Sequence, residues 1–163
     1  MNEIKEPVAV SADIYRAAES YKKIADYCLN ESVQAVFPFL SNSAFSMELF
    51  LKSMLAYDYY APSLGGTTLV KVDVDKGDKT HSLVDLFSKL DGPKQKVLKS
   101  YYQSSGMQKK YGKLGGNLKE MSHLFELSRY GYSQEELPWS NLSQIADFTN
   151  FFQQAVIEVE SRV

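Results

Sequence analysis

The sequence is poor in cysteine and histidine and has no long hydrophobic run, and each shortage excludes a class of protein. A lone Cys28 cannot build a disulfide framework or a cysteine-rich zinc site within one chain. The two histidines, His81 and His123, lack the short spacing of a helical zinc pair, so we expect neither a metal nor another cofactor. No apolar run approaches the roughly 20 residues that span a bilayer.

Positive charge is also scarce overall. The formal net charge is −2, which argues against a general nucleic-acid-binding surface because phosphate neutralisation needs clustered Lys and Arg. The segment from Lys94 to Lys119 is a local exception with seven lysines. We interpret these lysines as a solvated face, with an RNA-facing patch as the alternative. The N-terminal stretch MNEIKEPVAV lacks the basic start and apolar core of a secretory signal, so we expect a cytoplasmic protein.

What the chain does contain is the composition of an ordinary globular protein. It has 163 residues, of which 44% are hydrophobic and 23% charged. This composition argues against disorder throughout, and the length predicts one domain over residues 1–163 with enough apolar material for a core.

Helical spacing dominates the hydrophobic pattern. Only residues 67–79 alternate as a strand would, and we expect a short hairpin or an extended loop there. The predicted fold class is all-α, an up-and-down bundle of five or six helices. The first predicted helix runs from Ser11 to about Cys28, and the second begins at about Glu31, is kinked or restarted at Pro38 and continues over Ser41–Tyr60. The next two run from a Thr80 cap to Gly92 and from Pro93 to about Tyr111. The last two run from a capping-box-like start at Asn117 to about Tyr130 and from Ser140 or Asn141 onwards.

The stretch SNSAFSMELFLKSMLAYDYY carries two charges, Glu48 and Lys52, inside an otherwise apolar helix. A helix that is apolar almost all round is central in a bundle, and its small polar residues would let a neighbouring helix approach closely. In one reading the two charges pair with each other at the edge of the bundle, for about 0.3–0.5 kcal/mol. In the other, each also meets a group from another helix, because charges among apolar residues need partners.

Three short motifs then follow one another along the chain. They are AFSMELFLKSML with Glu48 and Lys52, KTHSLVDLFSKL with His81, and RYGY with Arg129 and Tyr130. In this order, over about residues 21–132, the chain resembles the HEPN domain superfamily (higher eukaryotes and prokaryotes nucleotide-binding). The resemblance implies a HEPN-like bundle of four to six helices that forms a homodimer. It also implies nucleotide or RNA binding in a defence or toxin–antitoxin setting, with a nucleotidyltransferase or an antitoxin as a possible partner.

The chain departs from the ribonuclease members of that superfamily. Those members share an R-x(4–6)-H motif. Its arginine stabilises the negative charge that develops on the phosphorane, and its histidine moves the proton of the 2′-hydroxyl or of the leaving oxygen. None of Arg16, Arg129 and Arg162 has a histidine at that spacing. The nearest imitation pairs Lys76 with His81, and lysine does not replace arginine at such a site.

The motif residues are expected to converge on one groove, as a ligand-binding site or as a structural polar cluster. These residues are Glu48, Lys52, His81, Arg129 and Tyr130. The sequence leaves three functions open. The first is nucleotide or RNA binding in phage defence or a toxin–antitoxin system without the standard ribonuclease site. The second is a non-catalytic helical dimerisation or interaction module, and the third is a metal-independent ribonuclease with a rearranged site.

Two of the motif residues are also the only catalytic candidates, His81 and Arg129. His81 has a structural reading as well, in which it pairs with a carboxylate such as Glu48 or simply decorates a helix start. For His123 we expect a place on the surface or at the edge of the core.

Overall fold

The computed structural model describes residues 4–30, 35–74, 80–130 and 142–163. Within these ranges the chain is mostly helical, as predicted, but a three-stranded antiparallel sheet corrects the all-α description. The elements are β1 (Ile4–Pro7), α1 (Ala12–Asn30), α2 (Val36–Ser53), β2 (Ala56–Ser63), β3 (Gly66–Val74), α3 (Leu83–Lys89), α4 (Gly92–Ser104), α5 (Met107–Tyr111), α6 (Leu114–Met121), α7 (Leu124–Tyr130) and α8 (Leu142–Arg162). The described helices thus number eight, rather than five or six.

Helix α2 lies at the centre of the helical part. It packs along α1 more extensively than any other two helices pack, and it also contacts α3, α7 and α8. Its small residues Ser46 and Ser53 are fully buried, in keeping with the close approach that the sequence predicted. Apolar residues recur along the last helix of the sequence at helical spacing, and in α8 five of them are buried while Leu142 is half-buried. The five are Ile145, Phe148, Phe152, Val156 and Val159.

The boundaries of α2 differ from the prediction at both ends. Pro38 is the third residue of the helix, where a missing N–H costs no hydrogen bond, so it neither kinks nor restarts the helix. The helix ends at Ser53 rather than at Tyr60. The Ser53 carbonyl accepts from the backbone N–H of Ser11 at 2.8 Å, and the Met54 carbonyl accepts from Nζ of Lys94 at 2.8 Å. Partners from elsewhere in the chain therefore satisfy the end of the helix.

The sheet has the order β1-β2-β3, with β2 in the middle. Strand β2 is rich in tyrosine, a residue that is enriched in strands. It pairs with β1 on one side and with β3 on the other. The predicted hairpin near residues 67–79 is therefore partly right: its first half forms β3, but β3 pairs with the preceding strand. Residues 75–79 lie outside the described part of the chain.

The later helices are shorter than predicted. The expected helix from Pro93 to Tyr111 is divided into α4 and α5 at Gly106, whose φ of 81° lies in the left-handed region that favours glycine. Asp91 caps α4, and Ser82 rather than Thr80 caps α3. Asn117 lies inside α6 instead of starting a helix. The predicted starts at Glu31, Ser140 and Asn141 fall outside the described residues.

Lys94 corrects the prediction that the lysines of residues 94–119 form a solvated face. It is only 8% exposed, and its ammonium donates to the carbonyls of Met54 and, at 3.3 Å, Val8. The other six lysines are exposed. One of them, Lys110, lies 2.7 Å from Oδ2 of Asp147.

The carboxyl of Asp147 should make the free energy of unfolding depend on pH. Burial opposes its ionisation, but hydrogen bonds from Lys110 and Tyr111 outweigh burial and hold the pKa of the carboxyl below its usual value. A depressed folded-state pKa contributes stability above the unfolded pKa of about 3.9, and that contribution is lost as the pH falls through the folded value. We therefore expect Asp147→Asn to lower the free energy of unfolding at pH 7 and to differ little from wild type near about pH 2. Urea unfolding at both pH values measures this, and an equal loss at both would contradict it.

Candidate functional site

The carboxylate of Glu48 is the centre of the polar cluster. Its side chain is 8% exposed, and both of its oxygens have partners. Oε1 lies 2.7 Å from Nζ of Lys52, one turn further along α2, and Oε2 lies 2.8 Å from Nδ1 of His81. Glu48 thus meets a group from another segment, as the second reading expected, whereas Lys52 has Glu48 as its only ion-pair partner in the described part of the chain.

This contact fixes the chemistry of the His81 ring. A carboxylate only accepts hydrogen bonds, so Nδ1 of His81 donates and carries a proton. In the neutral ring the lone pair is then on Nε2. The imidazole is 59% exposed although its partner is buried. Glu48 therefore orients a histidine whose remaining ring nitrogen has no hydrogen-bond partner among the described residues and can face a ligand.

An aromatic side chain that the sequence did not single out holds the other side of the cluster. The ring of Phe125 on α7 stacks on His81, with centroids 5.3 Å apart and planes 3° apart. Phe125 also packs edge-on against Phe45 of α2 at 4.8 Å, and Phe45 in turn stacks on Tyr21 of α1. The position of His81 is therefore set by a hydrogen bond to α2 and by ring contacts that reach α1.

Arg129 joins the cluster indirectly. Its guanidinium carbon lies 5.2 Å from the centre of the Phe125 ring, within the range of a cation–π contact. It does not pair with Glu48, whose two oxygens are occupied by Lys52 and His81. Tyr130 is 56% exposed. The structure thus brings Glu48, Lys52 and His81 into direct contact and leaves Arg129 at the edge of the cluster.

A surface groove of about 500 Å³ opens beside His81. Its two walls come from the start of α3 and from α6 with the turn that follows it. The lining residues are His81, Ser82, Val84, Asp85, Gly115, Lys119, Ser122 and His123. We call this the histidine groove. Neither Arg129 nor Tyr130 lines it.

A serine hydroxyl fixes the two walls of the histidine groove against each other. Ser122 Oγ accepts from the backbone N–H of Leu83 at 2.9 Å and donates to the carbonyl of Leu118 at 2.7 Å. These bonds tie the first residue of α3 to the last turn of α6. The width of the groove is therefore set by hydrogen bonds as well as by packing.

The place of His123 in this groove is what sequence reasoning missed. Lys119 and His123 are four residues apart, and that spacing puts them on the same side of a helical segment. No sequence signal placed His81 opposite them, because the contact joins segments about 40 residues apart. The groove thus collects both histidines of the chain and one exposed lysine.

No protein-family model matches the chain, and neither a curated protein nor a solved structure matches it. Within the described ranges, no helix combines the length and apolar character that a membrane crossing requires. Nor does the described part of the chain bring together three or more His, Cys, Asp or Glu side chains as a metal ion would need.

Proposed function

We propose that the chain is a HEPN-like protein that binds a nucleotide or single-stranded RNA through the histidine groove. The observation that carries this proposal is the convergence of His81, His123 and Lys119 on one groove. Lysine attracts a phosphate by its charge, and imidazole nitrogens offer hydrogen bonds to phosphate or ribose oxygens. The volume falls within the roughly 300–1,000 Å³ of small-molecule sites. The HEPN resemblance favours a defence or toxin–antitoxin setting for such a protein.

The charge distribution is consistent with an anionic ligand in this place. The whole chain carries a formal net charge of −2, but residues 94–119 contain no acidic residue. Besides Lys119, this run has five exposed lysines: two in α4, two in α5 and one just before α6. Lys119, at the groove, is the last lysine of this run. A phosphate that occupied the groove would meet the charge of Lys119 directly, and lysine charge is the usual source of RNA affinity.

Fluorescence anisotropy with a 5′-labelled single-stranded RNA tests the proposal. We expect His81→Ala and Lys119→Ala each to weaken binding by about tenfold, because each removes one contact to the phosphate or ribose. Lys23→Ala is the matched control, since Lys23 on α1 is also exposed but lies outside both the groove and the lysine run. Competition by AMP would identify a nucleotide site, whereas RNA binding that AMP does not affect would identify a polymer site. If the folded wild type binds neither, the proposal fails and a non-catalytic interaction module is favoured.

A second candidate function is cleavage of the bound RNA without a metal, and the Glu48–His81 contact favours it. With Nδ1 held by Glu48, Nε2 of His81 can take the proton of a ribose 2′-hydroxyl. The 2′-oxygen then forms a bond to the adjacent phosphorus as the bond to the 5′-oxygen breaks. Protonated His123, from the other wall, can give the leaving oxygen its proton, which yields a 2′,3′-cyclic phosphate and a 5′-hydroxyl.

End-labelled RNA separates cleavage from binding alone. Cleavage by the wild type in EDTA, lost in His81→Ala while RNA is still bound, would support the second candidate. Replacing one ribose by deoxyribose should then abolish the cut at that position, because the attacking oxygen is gone. Intact RNA at saturating protein would leave binding as the function of the groove.

A further inference from the structure

The three-stranded sheet lies apart from the helices that form the core. Among the described residues, its strands make extensive contacts only with one another, and no helix packs extensively on either face. Additional strands or a packed layer stabilise a small sheet. The open parts of this sheet are therefore places where another molecule can add to it.

One row of side chains makes the same point. The register places Ile4, Tyr60 and Leu69 next to one another across the three strands, on the same face of the sheet. Ile4 is 47% exposed and Leu69 is 43% exposed. An apolar row that is left open in one copy of a chain is typical of a surface that another molecule covers.

The long free edge of this sheet is β3. The four-residue β1 protects the other side of β2, but no described strand pairs with the outer edge of the nine-residue β3. An edge strand presents a row of unpaired backbone N–H and C=O groups to any strand that can align with it.

The charges along β3 are complementary to the same strand running in the opposite direction. Lys71 and Asp73 flank Val72 and point to the same face. If two copies align antiparallel with Val72 opposite Val72, each Lys71 faces Asp73 of the other copy. Lys71 contacts the Tyr59 ring at 4.3 Å and has no carboxylate partner in the described part of the chain. Asp73 uses Oδ1 for the backbone N–H of Val74.

We propose that β3 pairs with β3 of a second copy of this chain, antiparallel about a two-fold axis at Val72, and joins two sheets into one of six strands. The contact is isologous, as in most homodimers, because one patch meets itself. This inference is independent of the proposed function and would stand if no RNA or nucleotide bound.

The features of β3 that discourage pairing with strands of unrelated proteins also favour pairing with a second copy of this chain. A lysine on an edge strand repels most strands, and a bulge interrupts the ladder where the register shifts between Tyr59 and Tyr60. The bulge confines regular pairing to the part of β3 around Val72. There, only a strand with an acidic residue opposite Lys71 compensates the charge, and a second copy supplies it twice.

Charge reversal with size-exclusion chromatography and light scattering tests the register. We expect the wild type to dimerise, and Lys71→Asp and Asp73→Lys each to weaken dimerisation by about tenfold or more, because like charges then face each other at two places. Mixing the two variants should restore a heterodimer, since each variant carries the charge that the other lacks. The double variant should dimerise by itself for the same reason. Circular dichroism of each variant checks that it is folded.

Three results would overturn the proposal. A wild type that remains monomeric would leave the sheet to a different partner. Single variants that dimerise as the wild type does would place the interface elsewhere on the molecule. Single variants that are monomeric and do not recover on mixing would show that Lys71 and Asp73 do not face each other.

Discussion

Glu48→Ala should lower the free energy of unfolding by about 3 kcal/mol, because it leaves the ammonium of Lys52 in a mostly buried place without its counter-charge. Lys52 is 15% exposed and lies 2.7 Å from Oε1 of Glu48. The substitution also removes the hydrogen-bond partner of His81 and leaves a small cavity where the Glu48 side chain was. Urea unfolding monitored by circular dichroism measures the loss.

A second ion pair of the same chain supplies the control for Glu48. Asp13 and Arg16 lie 3.5 Å apart on α1, with side chains 64% and 75% exposed, and such a pair contributes little. Asp13→Ala should therefore cost no more than about 0.5 kcal/mol. Replacing Glu48 and Lys52 together by leucine should recover part of the loss, since no uncompensated charge is left. A cost for Glu48→Ala as small as that of Asp13→Ala would show that its charge is not needed for the fold.

Asn117→Ala should destabilise the protein by a similar amount, about 3 kcal/mol, through buried groups that lose their hydrogen bonds. Asn117 is 5% exposed. Its Nδ2 lies 2.9 Å from both the Tyr111 and the Lys113 carbonyls and 3.2 Å from the Tyr102 hydroxyl, and its Oδ1 accepts from Gln144 at 2.8 Å. One carboxamide thus connects α4, the turn between α5 and α6, and α8.

Two further variants separate the network from the loss of a side chain as such. Asn150 lies exposed on α8, and Asn150→Ala should change stability by no more than about 0.5 kcal/mol. Tyr102→Phe removes only the hydroxyl, which donates to the Gly112 carbonyl at 3.0 Å, and should cost about 1 kcal/mol. Thermal unfolding that ranks Asn117→Ala with Asn150→Ala would contradict the role of the carboxamide.

The sequence predicted the site better where its residues are close along the chain. The Glu48–Lys52 contact follows from the four-residue spacing on a helix. The contact of His81 with Glu48 was one of two structural readings, because hydrogen bonds across 33 residues depend on how the helices pack. Phe125 was overlooked, since an aromatic residue in an apolar helix carries no signal of a particular partner.

The sheet shows the same limit in the fold. The residues of β2 extend the helical pattern of α2, so periodicity alone predicted one helix to Tyr60. Two distant partners, the Ser11 N–H and the Lys94 ammonium, instead bind the carbonyls of Ser53 and Met54, where the helix has just ended. The next residues then pair with β1 and β3, and β1 lies about 50 residues earlier in the chain.

By itself, the sequence determined the mostly helical character, the core face of α8 and the internal charge pair of α2. These features repeat with the period of a helix, so residues a few positions apart specify them. Only the tertiary structure decided where α2 ends, that a sheet stands beside the helices, and that His81, His123 and Lys119 share one groove. Each of these depends on groups far apart in sequence, whose meeting is set by the packing of the whole chain rather than by any local pattern.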